Sequence, residues 1–180
     1  MLEDEQILIS SAKKGDRDAF GQVYGHYHPA IYRFVAAKVS FRHEAEDITH
    51  EVFLKAWKNL PSYKEKGFPF SSWLYRIARN KVIDHYRTKK SDSDIENVSD
   101  EFVKIVDDVE ESIDNLMDFE RVKDKLSQLS SDQQDVLILK FVEDMEVAEI
   151  ARILGKKEGA IRIIQHRALN RLKELLQERT

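Results

Sequence analysis

VAEIARILGKKEGAIRIIQHR, residues 147–167, decides the reading of this chain. Apolar residues recur at helical spacing on both sides of a glycine. In a helix-turn-helix the first helix carries a small residue where the second crosses it closely. A glycine takes the turn, and a branched apolar residue on the second helix fills the angle between them. Ala151, Gly155 and Ile161 hold those places. Ile150, Leu154, Ile164 and Leu169 are expected to complete the small core. Arg162, Gln165, His166 and Arg171 then face outward, with reach to base edges and phosphates in a major groove. Lys156 and Lys157 sit at the turn, where the amides of a helix start also favour phosphate. Ile163 interrupts this polar face and is placed to touch a thymine methyl or a protein partner. The plainer alternative is a helical hairpin with a solvated basic face.

Charge is spread unevenly along the 180 residues, whose formal net charge is −4. Residues 1–90 carry 16 Lys+Arg against 11 Asp+Glu, residues 91–120 carry 1 against 12, and residues 121–180 carry 12 against 10. Two basic ends flanking an acidic middle imply nucleic-acid contact at the ends and a solvated connector between them. The absence of cysteine excludes disulfides, thiol catalysis and cysteine–zinc sites. No apolar run approaches the roughly 20 residues that cross a bilayer, so no direct membrane insertion is expected. MLEDEQILIS lacks the basic start of a signal peptide, which makes a cytoplasmic location the default.

Helix signals dominate and strand signals are essentially missing. An amphipathic helix is expected from Leu2 to Lys14, closed by Gly15 and Asp16. Asp18 is expected to cap the next helix, with Phe20, Val23 and Tyr24 on one face, and Pro29 to open a continuation bearing Ile31, Tyr32, Val35 and Val39. A helix over residues 43–58 has Ala45, Ile48, Val52 and Ala56 as its inner stripe. LPSYKEKGFPF, residues 60–70, reads as a loop. Ser71 or Ser72 should cap a helix running to Lys90, with Leu74, Ile77, Ala78 and Val82 inward. Residues 91–107 are too polar to bury a core and read as a linker. Ile113, Leu116, Met117, Val122, Leu126 and Leu129 imply a further helix. Ser131 and Gln134 form a capping box for the next, where Val136, Leu137, Leu139 and Phe141 are apolar. The expected fold class is all-α: two helical domains, residues 1–90 and 113–180, joined by an acidic linker over residues 91–112.

Two more segments carry candidate surfaces. In AEDITHEVFLKAW, residues 45–57, Asp47, Glu51 and Leu54 share one helical face with the preceding Glu44. An acidic stripe is no surface for nucleic acid. Beyond an ordinary solvated face, it suits a basic protein partner, with Phe53 and Trp57 as aromatic anchors. GFPFSSWLYRIARNKVIDHYRTKK, residues 67–90, interleaves Phe68, Phe70, Trp73, Tyr75 and Tyr86 with Arg76, Arg79, Lys81, Arg87, Lys89 and Lys90. Cations track a single-stranded backbone while aromatics stack on bases at about 1–3 kcal/mol each. Trp73, Arg76, Asn80 and Arg87 recur on one face, and the alternative is that at least two of Phe68, Phe70 and Trp73 are core.

Taken in order, DAFGQVYGHYHPAIYRF, AEDITHEVFLKAW, FSSWLYRIARNKVIDHYR and LSSDQQDVLILKFVEDMEVAEIARILGKKEGAIRIIQHRALNRLKELL resemble the extracytoplasmic-function (ECF) sigma factors of the bacterial sigma-70 family. The likeness covers almost the whole chain. It implies an initiation factor that performs no covalent chemistry and needs no cofactor or metal. It implies that the helix holding Asp47, Glu51, Phe53, Leu54 and Trp57 binds the clamp helices of the largest RNA polymerase subunit. The loop with Asn59, Tyr63, Lys64 and Phe68, and the helix with Trp73, Arg76, Asn80 and Arg87, would open and read the −10 element. In this family one base is flipped into a pocket on that loop, at a cost of a few kcal/mol. Lys156, Lys157, Arg162, Gln165, His166, Arg167 and Arg171 would face the −35 element. An anti-sigma factor is the implied regulatory partner. KKEGAI, residues 156–161, departs from the family's usual turn, with Lys157 in place of the usual cap and Ile163 in place of a small polar residue.

Two other classes compete with this reading. A DNA-binding regulator using only the helix-turn-helix would leave the acidic stripe and the aromatic–basic helix without a task. A metal-dependent hydrolase would draw on His26, His28, Glu44, Glu46 and Asp47, but His-X-His on a helix points its rings to different faces.

Overall fold

The structure is a computed structural model that describes residues 5–64, 67–91 and 122–177. No strand occurs among the described residues. The expected linker, residues 91–112, and the apolar positions Ile113, Leu116 and Met117 lie almost wholly outside them.

Four helices build the first half: α1 (Glu5–Lys13), α2 (Arg17–Ala36), α3 (Arg42–Asn59) and α4 (Phe70–Ser91). Asp16, not Asp18, caps α2: its carboxylate accepts from the Asp18 and Ala19 amides at 3.0 and 3.1 Å. Asp18 instead lies in the first turn, where its charge favours the positive end of the helix dipole. Pro29 does not begin a new helix; α2 runs through it. Pro29 lies on the exposed face, as does Gly25, whose carbonyl would have taken the missing N–H and can turn to water. The α3 stripe Ala45, Ile48, Val52 and Ala56 is buried, as are Leu74, Ile77, Ala78 and Val82 of α4. Neither Ser71 nor Ser72 caps α4, which starts at Phe70 with the Ser72 amide bonded to the Pro69 carbonyl at 3.1 Å.

The second half opens with helical residues 122–127, here α5, followed by α6 (Ser131–Leu137), a π-helical turn (Ile138–Val142), α7 (Val147–Leu154) and α8 (Glu158–Gln177). The capping box of α6 is one residue earlier than expected, formed by Ser130 and Gln133. SSDQQ satisfies the spacing twice, and Gln134 is taken by the Ser127 and Leu129 carbonyls at 3.3 and 3.0 Å. Val136, Leu137 and Leu139 are buried, but the π-helical turn rotates Phe141 out to 58% exposure.

Both halves share one apolar core. Ile31, Phe34, Leu74 and Tyr75 lie in the same cluster as Leu139, Ile150, Ile153 and Ile161. A smaller cluster of Leu129, Leu137, Ala168 and Leu175 fixes α5 and α6 against the far end of α8.

Candidate nucleic-acid and protein interfaces

The helix pair forms as its spacing requires. Gly155 ends α7 in the left-handed conformation, φ 65°, which a side chain would oppose. The Lys156 amide reaches back to the Ala151 carbonyl at 2.9 Å and that of Gly155 to Arg152 at 3.3 Å, closing a Schellman turn. Ala151 and Ile161 are buried at the crossing beside Ile150, with Leu154 and Ile164 packed against them. Leu169 is a correction: it is 40% exposed, and Ala168 beside it makes the inward contact with the second cluster. Arg162, His166, Arg167 and Arg171 are exposed on α8, Lys157 is exposed at the turn and Gln165 is half-buried. Arg162 pairs with Glu158 and Arg171 with Glu174, both at 3.1 Å and both solvated. Ile163 stands 54% exposed on this face.

On α3, Asp47, Glu51 and Leu54 are exposed, and Lys81 reaches Glu51 at 2.5 Å. Glu44 leaves the stripe. Its carboxylate turns inward, accepting from Lys89 at 2.8 Å and from the Phe41 amide at 3.3 Å, with His85 at 3.4 Å. Burial pushes this carboxyl up, but those donors outweigh it and hold it below its usual range. A carboxyl that titrates lower folded than unfolded adds stability above its unfolded value and loses it as pH falls through the folded one. Thermal melts from about pH 6 down to about pH 3 should therefore show Glu44→Gln less stable than wild type at the upper end and level with it at the lower.

Phe53 is not an exposed anchor. It is buried, with the Tyr24 ring against it at 4.7 Å, and it floors an open groove of about 340 Å³ lined by Arg17, Phe20, Tyr24, His50, Leu54 and Trp57. Trp57 is half-buried, 4.8 Å from the Phe20 ring. Phe53→Leu should lower thermal stability by about 1 kcal/mol, read from the melting temperature.

The third surface is more packed than expected. Tyr63 and Trp73 are half-buried and meet at 4.8 Å, Phe70 is buried between them, and Lys13 donates to the Tyr63 carbonyl at 2.7 Å. Asn59 donates to the Lys55 carbonyl at 2.8 Å. Lys64 and Asn80 are exposed, and Arg87 pairs with Asp84 at 3.1 Å. Phe68 is 43% exposed and lies under Arg152 at 5.7 Å. Arg76 donates to the Arg152 carbonyl at 2.7 Å. Candidates from the two nucleic-acid sets thus meet at one cleft of about 410 Å³, where Phe68 and Arg76 face Arg152, Gly155 and Lys156.

Between the two halves lies a set of charges that the sequence reading missed. Asp135 of α6 is wholly buried and bridges Lys38, just beyond α2, and Arg79 of α4, the latter at 2.7 Å. Asp132 accepts from Arg79 and Lys156, each at 2.9 Å. Glu143 takes Arg33 at 3.0 Å and the Tyr75 hydroxyl at 3.0 Å. Burial drives the Lys38 ammonium below its usual range, while Asp135 pulls the other way. Burial followed by the Glu143 charge raises the Tyr75 phenol far above its own, so it serves as a neutral donor. The signal available in sequence was a lysine inside the apolar run VAAKV and an aspartate at the head of the apolar run VLIL.

His26, His28, Glu44, Glu46 and Asp47 do not converge. Among the described residues no three such groups could hold a metal ion, and no helix is long and apolar enough to cross a membrane.

Comparison with known proteins assigns the two halves separately. Sigma-70 region 2 matches residues 23–91, and Sigma-70 region 4 matches residues 126–174. The ECF RNA polymerase sigma factor SigW of Bacillus subtilis is 33% identical over 94% of this chain and 95% of its own length. The chain belongs to the ECF RNA polymerase sigma factors. BldN of Streptomyces coelicolor, another of them, is 34% identical; the match takes in 94% of this chain but 64% of BldN. The sigma factor RpoE, solved with the anti-sigma factor NepR from Bartonella quintana, superposes with a TM-score of 0.70 at 28% identity, over 89% of this chain and 98% of that one. CnrH, solved with the cytosolic domain of CnrY, shares the fold, with a TM-score of 0.76 at 24% identity over 99% of this chain and all of that one. The all-α fold class expected from the helix signals holds among the described residues, and the two halves are the two sigma-70 regions that the order of the motifs implied.

Proposed function

We propose that this sigma factor carries core RNA polymerase to promoters from the cytoplasm and helps open them, without catalysing a reaction itself. The observation that carries this is the pairing, on one chain, of an acidic and apolar α3 face with a basic helix-turn-helix. Asp47, Glu51, Leu54 and Trp57 would meet the clamp helices of the largest subunit, over a floor set by Phe53. Asn59, Tyr63, Lys64, Phe68, Trp73, Arg76, Asn80 and Arg87 would engage the −10 element. Lys156, Lys157, Arg162, Gln165, His166, Arg167 and Arg171 would engage the −35 element. An anti-sigma factor is the expected partner, in keeping with RpoE, which was solved with one. The domain limits 1–90, 91–112 and 113–180 are part of the same reading.

Selection from a pool of randomised duplexes, with and without core polymerase, tests it. With polymerase the chain should enrich two sequence blocks at fixed spacing and give transcripts starting downstream. Enrichment of a single block, equally well without polymerase, would make the chain a DNA-binding regulator instead.

A further inference from the structure

Helical period places Ile163 in the middle of the outward face of α8. Ile161, Ala168 and Leu175 recur every two turns on the inner side of that helix and are buried. On the opposite side Gly159, Ile163, His166 and Asn170 fall in one stripe, flanked by Arg162 and Arg167, and all of them are exposed. Ile163 is the sixth residue of α8, within the N-terminal part that a recognition helix sets against base edges. One turn before it, Gly159 carries no side chain, and the space where a Cβ would stand is open. The isoleucine is thus approached over bare backbone, and it stands 54% exposed.

An apolar side chain at the centre of a cationic face has nothing to offer a phosphate. Among the groups that base pairs present in the major groove, the C5 methyl of thymine is the apolar one. The other bases show only donors and acceptors there, and an isoleucine pressed on them strips water from a polar atom without replacing its hydrogen bond. We propose that Ile163 selects a thymine within the −35 element by packing on its C5 methyl, while Arg162 and Arg167 fix the helix on the phosphates. The inference rests on the reading of α8 as the −35 helix. Charge favours DNA over a protein as the occupant, since Lys157, Arg162, Arg167 and Arg171 are exposed on the same helix and the turn before it. Leu169, the other large apolar residue exposed on α8, lies about a third of the way round the helix. The two therefore do not form the clustered apolar centre on which a protein partner depends.

The test compares wild type with Ile163→Ser, each as the full chain with core RNA polymerase, in selection from a pool of randomised duplexes. Ile163 is exposed, so the variant should fold, and circular dichroism checks it. Wild type should enrich thymine at one base pair of the upstream block. Ile163→Ser should lose that preference and keep the rest of the block. The selected duplex is then made with deoxyuridine for that thymine, which removes the methyl and nothing else. Affinity of the wild-type chain should fall about 4-fold, the worth of one buried methyl group, and Ile163→Ser should bind both duplexes equally. An upstream block without a thymine that depends on Ile163, or a wild type indifferent to deoxyuridine, overturns the proposal and leaves the −35 reading in place. If Ile163→Ser selects the same DNA but loses co-elution with polymerase, the residue is a protein contact and the proposal falls. Failure of wild type to enrich any upstream block overturns the −35 reading itself.

Discussion

Reversing charge at both Asp47 and Glu51 should abolish co-elution of the chain with bacterial core RNA polymerase. These are the two carboxylates left on the outer α3 face, because Glu44 is drawn inward by Lys89 and the Phe41 amide. Leu54 and Trp57 supply apolar area beside them, above a groove floored by Phe53. An Arg at each position turns two attractions to a basic partner into two repulsions. Like charges facing across an interface cost several kcal/mol, and about 1.4 kcal/mol is tenfold in affinity, so a loss of roughly 1,000-fold is expected for the pair. The fold should survive, since both positions are exposed; circular dichroism checks it. Co-elution equal to wild type would place the polymerase contact elsewhere on the chain.

Arg162→Ala/Arg167→Ala/Arg171→Ala should have the next largest effect. The ion pairs to Glu158 and Glu174 are solvated, and pairs of that kind are worth at most about 1 kcal/mol. They give way to phosphate at little cost. Each phosphate contact removed should make the salt dependence of duplex binding shallower by about 0.9 in the log–log slope. Three such losses should weaken binding to a −35 duplex on the order of 100-fold near physiological salt, with little change in polymerase co-elution. An unchanged slope would show that this face of α8 does not lie on DNA.

The features legible in the sequence were the local ones. Ala151, Gly155 and Ile161 announce their crossing because a tight turn and a close helix approach admit few residue types. The inner stripes of α3 and α4 follow from helical period alone. Phe53 was misread because it lies one residue beyond Val52, at the edge of the stripe, where only the width of the contact with α2 decides whether a side chain is covered. Cap positions slipped by one residue at Ser130 and by two at Asp16, where neighbouring polar side chains compete for the same amides. The Lys38–Asp135 bridge joins residues far apart in the chain. No short window of sequence contains both, so Lys38 reads only as a charge within an apolar run and Asp135 only as one at the head of another.

That bridge also limits how the chain can be recombined. Lys38 belongs to one half and Asp135 to the other, and both are buried. Losing Asp135 strands the Lys38 ammonium away from water, a cost of about 3–5 kcal/mol, whereas losing Lys38 leaves Asp135 with Arg79 alone. The halves are therefore not interchangeable modules. A chimaera that joins residues 1–91 to the second domain of a relative keeps its domain contact only if the incoming domain brings a carboxylate to the place of Asp135. Inheritance at these two positions has to be joint, or pass through an intermediate whose domains stand apart.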